Sequence, residues 1–418
     1  MRRVFAAADE LQADCIAFLA DLVRIPTVNP PGERYEECAR YIGERLAALG
    51  YAVEYIRPRV ARDGPPRVNV FARMAGAEPR PTLHFNGHFD VVPPGDAGAW
   101  SRPPFAAEIE GGVLWGRGSG DQKAGIAASV YAVEAIRRAG IALRGSVEQS
   151  ATVDEESGGF EGVAELCDQG FIAADRTDHV IITEPLDVDR ICVGHRGVYW
   201  FEVTARGQTA HGSMPGFGRN AADAMARLVT RIQGELAPKL AERRTAMPVE
   251  PAAARSASIN LNSLHAGQPT NVEQTPCVPD TCVAIFDRRF LVEESTGAVR
   301  AEIEDLVARE QARGDGISWS MRDLMIVEPT ETPADGPVAR AAREAIERVL
   351  ARPAAVIASP GTYDQKHVVR RGGVGDCIAY GPGILDTAHR PDEYVRLDDL
   401  ANATKVMALA TLSLLGTR

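Results

Sequence analysis

Apolar positions at Leu11, Ile16, Leu19, Leu22 and Val23 recur at helical spacing and predict a helix over residues 9–24, which Pro26 and the run Asn29-Pro30-Pro31-Gly32 bring to a turn. A second helix is expected over residues 33–49, stopped at Gly50. Short apolar runs then predict strands over residues 53–56, 68–73 and 82–86, and this alternation of element types predicts an α/β core. A hairpin-like segment at 105–115 leads into GRGSGDQKAG at 116–125, a glycine-rich turn entering a helix over 125–139. Strands follow at 146–153 and 179–183.

From His195 the texture changes. Residues 197–205 read as an alternating strand, with Val198, Trp200 and Glu202 on one face and Tyr199, Phe201 and Val203 on the other. A helix is predicted at 220–240, strands near 256–264 and 281–290, a helix at 295–313 and a strand at 317–325. That order, βαββαβ, is the ferredoxin-like split motif, so residues 195–327 read as an inserted domain and residues 1–194 with 328–418 as the domain that receives it. The returning chain predicts a helix over 338–350 and strands over 355–358 and 377–380.

The polar residues matter most where these strands and turns end. The strand at 82–86 delivers His88 and Asp90. The glycine turn delivers Asp121, the strand at 146–153 runs into Asp154-Glu155-Glu156, and the strand at 179–183 ends at Glu184. His389 lies just past the last strand, on the far side of the insertion. Singly, a histidine at a strand end is more often a hydrogen-bonded structural residue, and three consecutive acids are usually a solvated loop. Recurrence at the carboxyl edge of an α/β sheet, where ligands sit, changes that reading. Two histidines and several carboxylates without cysteine suit divalent ions such as Zn²⁺, with Co²⁺ or Mn²⁺ as alternatives. In a His-x-Asp pair the carboxylate can orient an imidazole that binds the metal. The glycine turn lacks Walker spacing, which argues against nucleotide binding.

Composition narrows the field. The 418 residues, 45% hydrophobic and 25% charged, suit a globular protein of at least two domains. A net charge of −11 without a basic block argues against nucleic acid. No stretch approaches the length of a membrane span, and Asp9, Glu10 and Asp14 interrupt the apolar run that a signal peptide would need. Seven scattered cysteines with no Cys-x-x-Cys pair suit a reducing compartment, so a cytoplasmic protein without membrane or nucleic-acid partners is expected.

Seven ordered motifs, GHFDVVP, GRGSGDQKAG, DEESGG, TEP, GHRGVYWFEV, AHGSMPGFGRNA and GPGILDTAHRPDEYV, together resemble the dinuclear-zinc M20-type peptidase and deacylase family. The texture is most similar to its acetylornithine deacetylase and succinyl-diaminopimelate desuccinylase branch. The resemblance implies a mixed-sheet metal-binding catalytic domain with an inserted ferredoxin-like dimerisation or lid domain. It implies His88 and Glu184 on one ion, Glu156 and His389 on the other, and Asp121 bridging them. Asp90 matches the acid that steadies the first histidine, and Glu155 matches the general base. His211 matches a small-domain histidine that binds substrate and reaches the partner's metal centre, which implies a C₂ homodimer. Asn271 and Arg289 resemble the family's substrate-binding pair, and Gly361 and Gly383 the glycine turns lining the same pocket. One departure stands out: Pro276 occupies the Asn position of the family's Asn-x-Val-Pro-Asp run, whereas Asn271 keeps its spacing from Gly267. An insertion between Asn271 and Cys277 accounts for both.

The expected activity is hydrolysis of the amide of an N-acyl amino acid or related small amine, with Glu155 shuttling the proton. A metallo-dipeptidase or carboxypeptidase would use the same residues. A catalytically silent amino-acid or peptide-binding protein would have lost a ligand or Glu155, and none is lost.

Overall fold

The computed structural model describes residues 1–60, 64–267 and 276–418. By its internal contacts the chain forms two units. The larger comprises Met1–Gly194, Thr332–Ile357 and Tyr363–Arg418, and the smaller His195–Glu331 with Ala358–Thr362. The fold class is the one the sequence implies: α/β, with a large mixed sheet and an inserted βαββαβ sheet.

The larger sheet runs in the order Ala52–Ile56, Asn69–Met74, Ser146–Thr152, Thr82–His88, His179–Ile182, Cys377–Ala379, Arg190–His195. Its four central strands, from Ser146–Thr152 to Cys377–Ala379, are parallel. Their carboxyl ends therefore face one way. His88 stands opposite Thr152, and Ile182 opposite both Asn86 and Ala379, so four chain exits open along one edge. Parallel strands are covered on both faces, which is why Thr82–His88 and Ser146–Thr152 are buried throughout.

One face carries the helix Lys123–Arg138, whose residues 123–136 are all buried, together with Pro337–Leu350 and Leu397–Leu415. The other carries the short helices Val163–Asp168 and Gln365–Arg370 over a core of Leu166, Ile182 and Val368. A separate antiparallel ribbon joins Glu108–Glu110, Val113–Trp115 and Tyr394–Arg396. Its tight turn is Gly111-Gly112, both at positive φ, where a side chain would be strained.

In the smaller unit the strands Gly197–Arg206, Ser258–Ala266, Thr281–Phe290 and Ser318–Val327, numbered along the chain, pair in the order 2-3-1-4. Helices Ala221–Arg231 and Thr296–Gln311 supply Leu228 and Ile303 to a core with Phe201 and Phe286. The latter rings stack at 5.2 Å, worth about 0.5–1.5 kcal/mol beyond their buried area. Asn220 caps the first helix by accepting from the Ala222 and Asp223 N–H groups.

Several boundaries differ from the sequence reading. The single helix expected over 9–24 is two, Arg2–Glu10 and Gln12–Arg24, meeting at Leu11. The helix expected over 220–240 loosens into a π turn at Ile232–Leu236 just ahead of Pro238, which has no N–H for a helical bond. The helix expected from 125 begins at Lys123, whose buried Nζ donates to the Leu22 and Ile25 carbonyls at 2.9 and 2.8 Å. The strand Arg190–His195 and the helix Leu397–Leu415 are additions to that reading.

Candidate metal centre

His88 ends its strand with its ring buried. Its Nδ1 lies 3.0 Å from the Asp90 main-chain oxygen and 3.5 Å from Asp90 Oδ1. With Nδ1–H donated there, the Nε2 lone pair is left for a ligand. Asp90 does more than this. Its Oδ1 accepts from the Glu155 N–H and its Oδ2 from the Glu156 N–H, both at 3.2 Å, and Asn29 Nδ2 donates to Oδ2 at 2.8 Å. One buried carboxylate therefore holds the turn that carries both glutamates.

The two oxygens of Asp121 face different imidazoles: Oδ1 lies 3.1 Å from His88 Nε2, and Oδ2 lies 3.5 Å from His389 Nε2. His389 Nε2 is also 3.1 Å from the Glu156 carboxylate. Donor atoms of His88, Asp121 and Glu156 all lie within 4.8 Å of one another. Glu184 follows the strand His179–Ile182, and its Oε1 is buried with no hydrogen-bond partner. A buried carboxylate oxygen left unpaired is costly unless a cation meets it, so this donor set fits divalent ions.

The electrostatics point the same way. Burial would raise Asp121, yet His389 and His88 hold its carboxyl well below the ordinary range. Burial pushes Glu156 up to about 7 against the pull of His389, and burial with the Asp121 charge pushes Glu184 well above its ordinary value. Asp121 and Glu156 raise His389 to about 10. For His88, burial opposes the charge, but Asp121 and Asp90 outweigh it and raise the ring well above 6.5. Burial thus drives Glu156 and Glu184 toward their neutral forms, and the neighbouring imidazoles oppose this as a bound cation would.

The loops that deliver Asp121 and His389 are tied together. Glu393 Oε1 accepts from the N–H groups of Gly118, Gly120 and Asp121 at 3.0, 2.9 and 3.0 Å, while its Oε2 pairs with buried Arg117 at 2.6 Å. Gly383 lies so close to Gly120 that a Cβ there would sit 2.6 Å from the Gly120 carbonyl oxygen. Gln122 Oε1 accepts from the His88 N–H at 3.2 Å and from Thr183 Oγ1 at 2.8 Å, bracing the strands that end at His88 and Glu184.

Three of the remaining expected residues belong to the smaller unit. His211 is exposed in the smaller unit, and its Nδ1 accepts from the Ser213 N–H at 3.1 Å. Arg289, in the same unit, is paired with Asp287 at 2.8 and 3.0 Å. Gly361 belongs to that unit as well, its N–H donating to Ser359 Oγ at 3.1 Å. Asn271 lies outside the described residues.

Sequence reading missed four contributors. Asn29 sat in a run read only as a turn, and Glu393 sat unassigned four residues past His389. Asp364 and Lys366, in the stretch SPGTYDQKHVV, are buried, and Lys366 Nζ lies 3.6 Å from Glu155 Oε1.

A cluster of histidines and carboxylates at the carboxyl edge of a mixed α/β sheet is a donor set suited to divalent ions, placed where ligands of such sheets sit. The family described as peptidase family M20/M25/M40 matches residues 84–413. The chain belongs to that family. It is 31% identical to the succinyl-diaminopimelate desuccinylase of Methylorubrum extorquens (strain PA1), over 94% of this chain and 96% of that one. It is 29% identical to the protein of that name from Alkalilimnicola ehrlichii, over 91% and 94%. In fold it is similar to the M20 family metallo-carboxypeptidase Sso-CP2 from Sulfolobus solfataricus, with TM-score 0.79 and 20% identity over 96% of this chain and 99% of that one. It is also similar to the Bacillus subtilis YXEP protein, a dinuclear metal binding peptidase from the M20 family, with TM-score 0.69 and 17% identity over 98% and 100%.

Proposed function

We propose that the chain is a metal-dependent amidohydrolase that removes an N-acyl group, succinyl or acetyl, from an amino acid or related small amine. One observation carries this reading. Glu156 shares a donor cluster with His389 and Asp121, while Glu155, hung from the same Asp90 carboxylate, lies beside Lys366. Two adjacent acids thus have separate surroundings, as a ligand and a general base require.

His88 and Glu184 would hold one ion, Glu156 and His389 the other, with Asp121 between them. Zn²⁺ is the expected occupant, with Co²⁺ or Mn²⁺ as alternatives. When bound, such ions supply Lewis acidity that polarises the scissile carbonyl and acidifies water. Asp90 orients the His88 ring. Glu155 takes the proton from the attacking water and returns it to the leaving amine. His211, Arg289, Asn271, Gly361 and Gly383 are the residues we assign to substrate binding, His211 acting across a C₂ homodimer built through the smaller unit. A cytoplasmic location agrees with seven free cysteines, and no helix among the described residues is long and apolar enough to cross a membrane.

The relatives' name makes N-succinyl amino acids the first substrates to test. A screen of N-succinyl, N-acetyl and N-formyl amino acids against dipeptides, with Zn²⁺ or Co²⁺ added, should give release of the acyl acid. Preferential dipeptide cleavage would move the assignment to a metallo-dipeptidase. No turnover by fully metal-loaded protein would leave a binding protein.

A further inference from the structure

We propose that Lys366 is a positioning residue for Glu155: its ammonium group draws the Glu155 carboxylate away from the donor cluster, so that of two adjacent glutamates only Glu156 remains to ligate. This rests on the general-base reading of Glu155.

The argument begins with a polar stripe in a buried sheet. Side chains alternate along a strand, so His84 and Asn86 share one face of Thr82–His88 with His88, and Glu148 and Ser150 share one face of Ser146–Thr152. The register sets His84 opposite Glu148 and Asn86 opposite Ser150. All four are buried, and they are bonded in series. Glu148 Oε2 lies 3.2 Å from His84 Nδ1, and His84 Nε2 lies 2.7 Å from Ser150 Oγ, which donates to Asn86 Oδ1 at 2.7 Å. Asn86 Nδ2 then donates to Asp364 Oδ2 at 3.2 Å. Arg73 and Arg176 close the far end on Glu148 at 2.6 and 2.8 Å.

At the near end the stripe meets a charge. Asp364 Oδ1 is buried with no hydrogen-bond partner, and Lys366 Nζ lies 3.9 Å from it. The Lys366 side chain is only 5% exposed, so the ammonium group has been taken from water and needs nearby anions. It has two, Asp364 behind it and Glu155 at 3.6 Å in front. Asp364 is fixed through Asn86 to the sheet, so the lysine is anchored and Glu155 is the partner that can turn.

Glu155 and Glu156 sit on the three-residue turn Glu155–Ser157, with both N–H groups on Asp90. Backbone anchoring alone leaves either carboxylate able to swing toward a divalent ion. A fixed cation beside Glu155 breaks that symmetry, as His389 does for Glu156.

The test compares Lys366→Met, Lys366→Arg, Glu155→Ala and Lys366→Met/Glu155→Ala. Lys366→Met should lower kcat at least tenfold with KM within twofold and metal content unchanged, and Lys366→Arg should recover most of the loss. In the Glu155→Ala background Lys366→Met should cost nothing further, because it acts through the missing carboxylate. The Co²⁺-loaded protein gives a readout independent of turnover. Its visible bands should change in Lys366→Met and return to the Glu155→Ala spectrum in the double variant. If Lys366→Met fails to fold, Lys366→Gln takes its place under the same criteria. Full kcat in the lysine variants, a loss confined to KM, or Co²⁺ bands that change equally with and without Glu155 would overturn the proposal. Turnover by Glu155→Ala itself would instead overturn the general-base reading.

Discussion

His389 sets its Nε2 3.1 Å from the carboxylate of Glu156, 233 positions earlier in the chain. The same histidine stands at a backbone φ of +64°, a region that non-glycine residues enter only when their surroundings hold them there. Four residues on, Glu393 accepts from the Asp121 N–H and fastens this loop to the turn that carries Asp121. The cluster is thus assembled from both ends of an interrupted sequence, and its parts can be tested separately.

The paired glutamates should separate by chemistry. Glu155→Ala should cut kcat by about 10²–10⁴ while metal analysis finds the wild-type stoichiometry. Glu156→Ala should lose an ion. Metal loss in Glu155→Ala, with both ions kept in Glu156→Ala, would reverse the two roles.

Metal loading should release protons. In the metal-free chain Asp121 and Glu156 raise His389 from 6.5 to about 10, so the ring is charged at pH 7 and must be neutral to ligate. Calorimetry of Zn²⁺ addition at pH 7, in buffers of different ionisation enthalpy, should find at least one proton released per chain. The sign for stability follows from the same shift. The His389 contribution to the metal-free fold is fully present below about 6.5 and fades as pH rises through about 10. Relative to His389→Ala, the metal-free wild type should therefore lose its advantage in Tm between those values. A constant difference would count against the assignment.

Glu393→Ala should damage fold and site together. It removes the carboxylate partner of the buried Arg117 guanidinium and frees three N–H groups around Asp121, a loss of about 3–5 kcal/mol in chemical denaturation. Metal affinity should weaken in parallel, because Asp121 loses its brace. Glu393→Gln keeps an acceptor oxygen and should recover part of both. Wild-type affinity in Glu393→Ala would mean that Asp121 is held by other means.

His211 supplies a test of assembly. If it acts across a dimer, a heterodimer of Glu155→Ala with His211→Ala subunits contains one intact site, so two inactive parents should yield active mixtures. Mixed dimers that form and stay inactive would remove the shared site, as would a fully active monomer.

Much of this was legible because strand exits announce themselves. A short apolar run followed by His88 and Asp90, Glu155 and Glu156, or Glu184 carries its own register, and the parallel sheet then aligns those exits on one edge. Asp364, Lys366 and Asn29 were not legible, because their significance lies in contacts to residues far away in the chain. Asn29 meets Asp90 from 61 positions away, and Asp364 meets Asn86 from 278. The helix Leu397–Leu415 escaped for another reason. Its apolar residues run nearly around the cylinder, which blurs the one-sided periodicity that marks a surface helix.

The strand Cys377–Ala379 lies between His179–Ile182 and Arg190–His195, two strands only eight residues apart in sequence. As the polypeptide emerges, those two neighbours must wait for a wedge that arrives about 180 residues later, after the smaller unit has been synthesised with a core of its own. Closing the larger sheet is therefore a late, long-range event, costly in loop entropy and slow by contact order. Until then the facing edges of both strands lack their partner, and an unpaired strand edge is a site for wrong pairing.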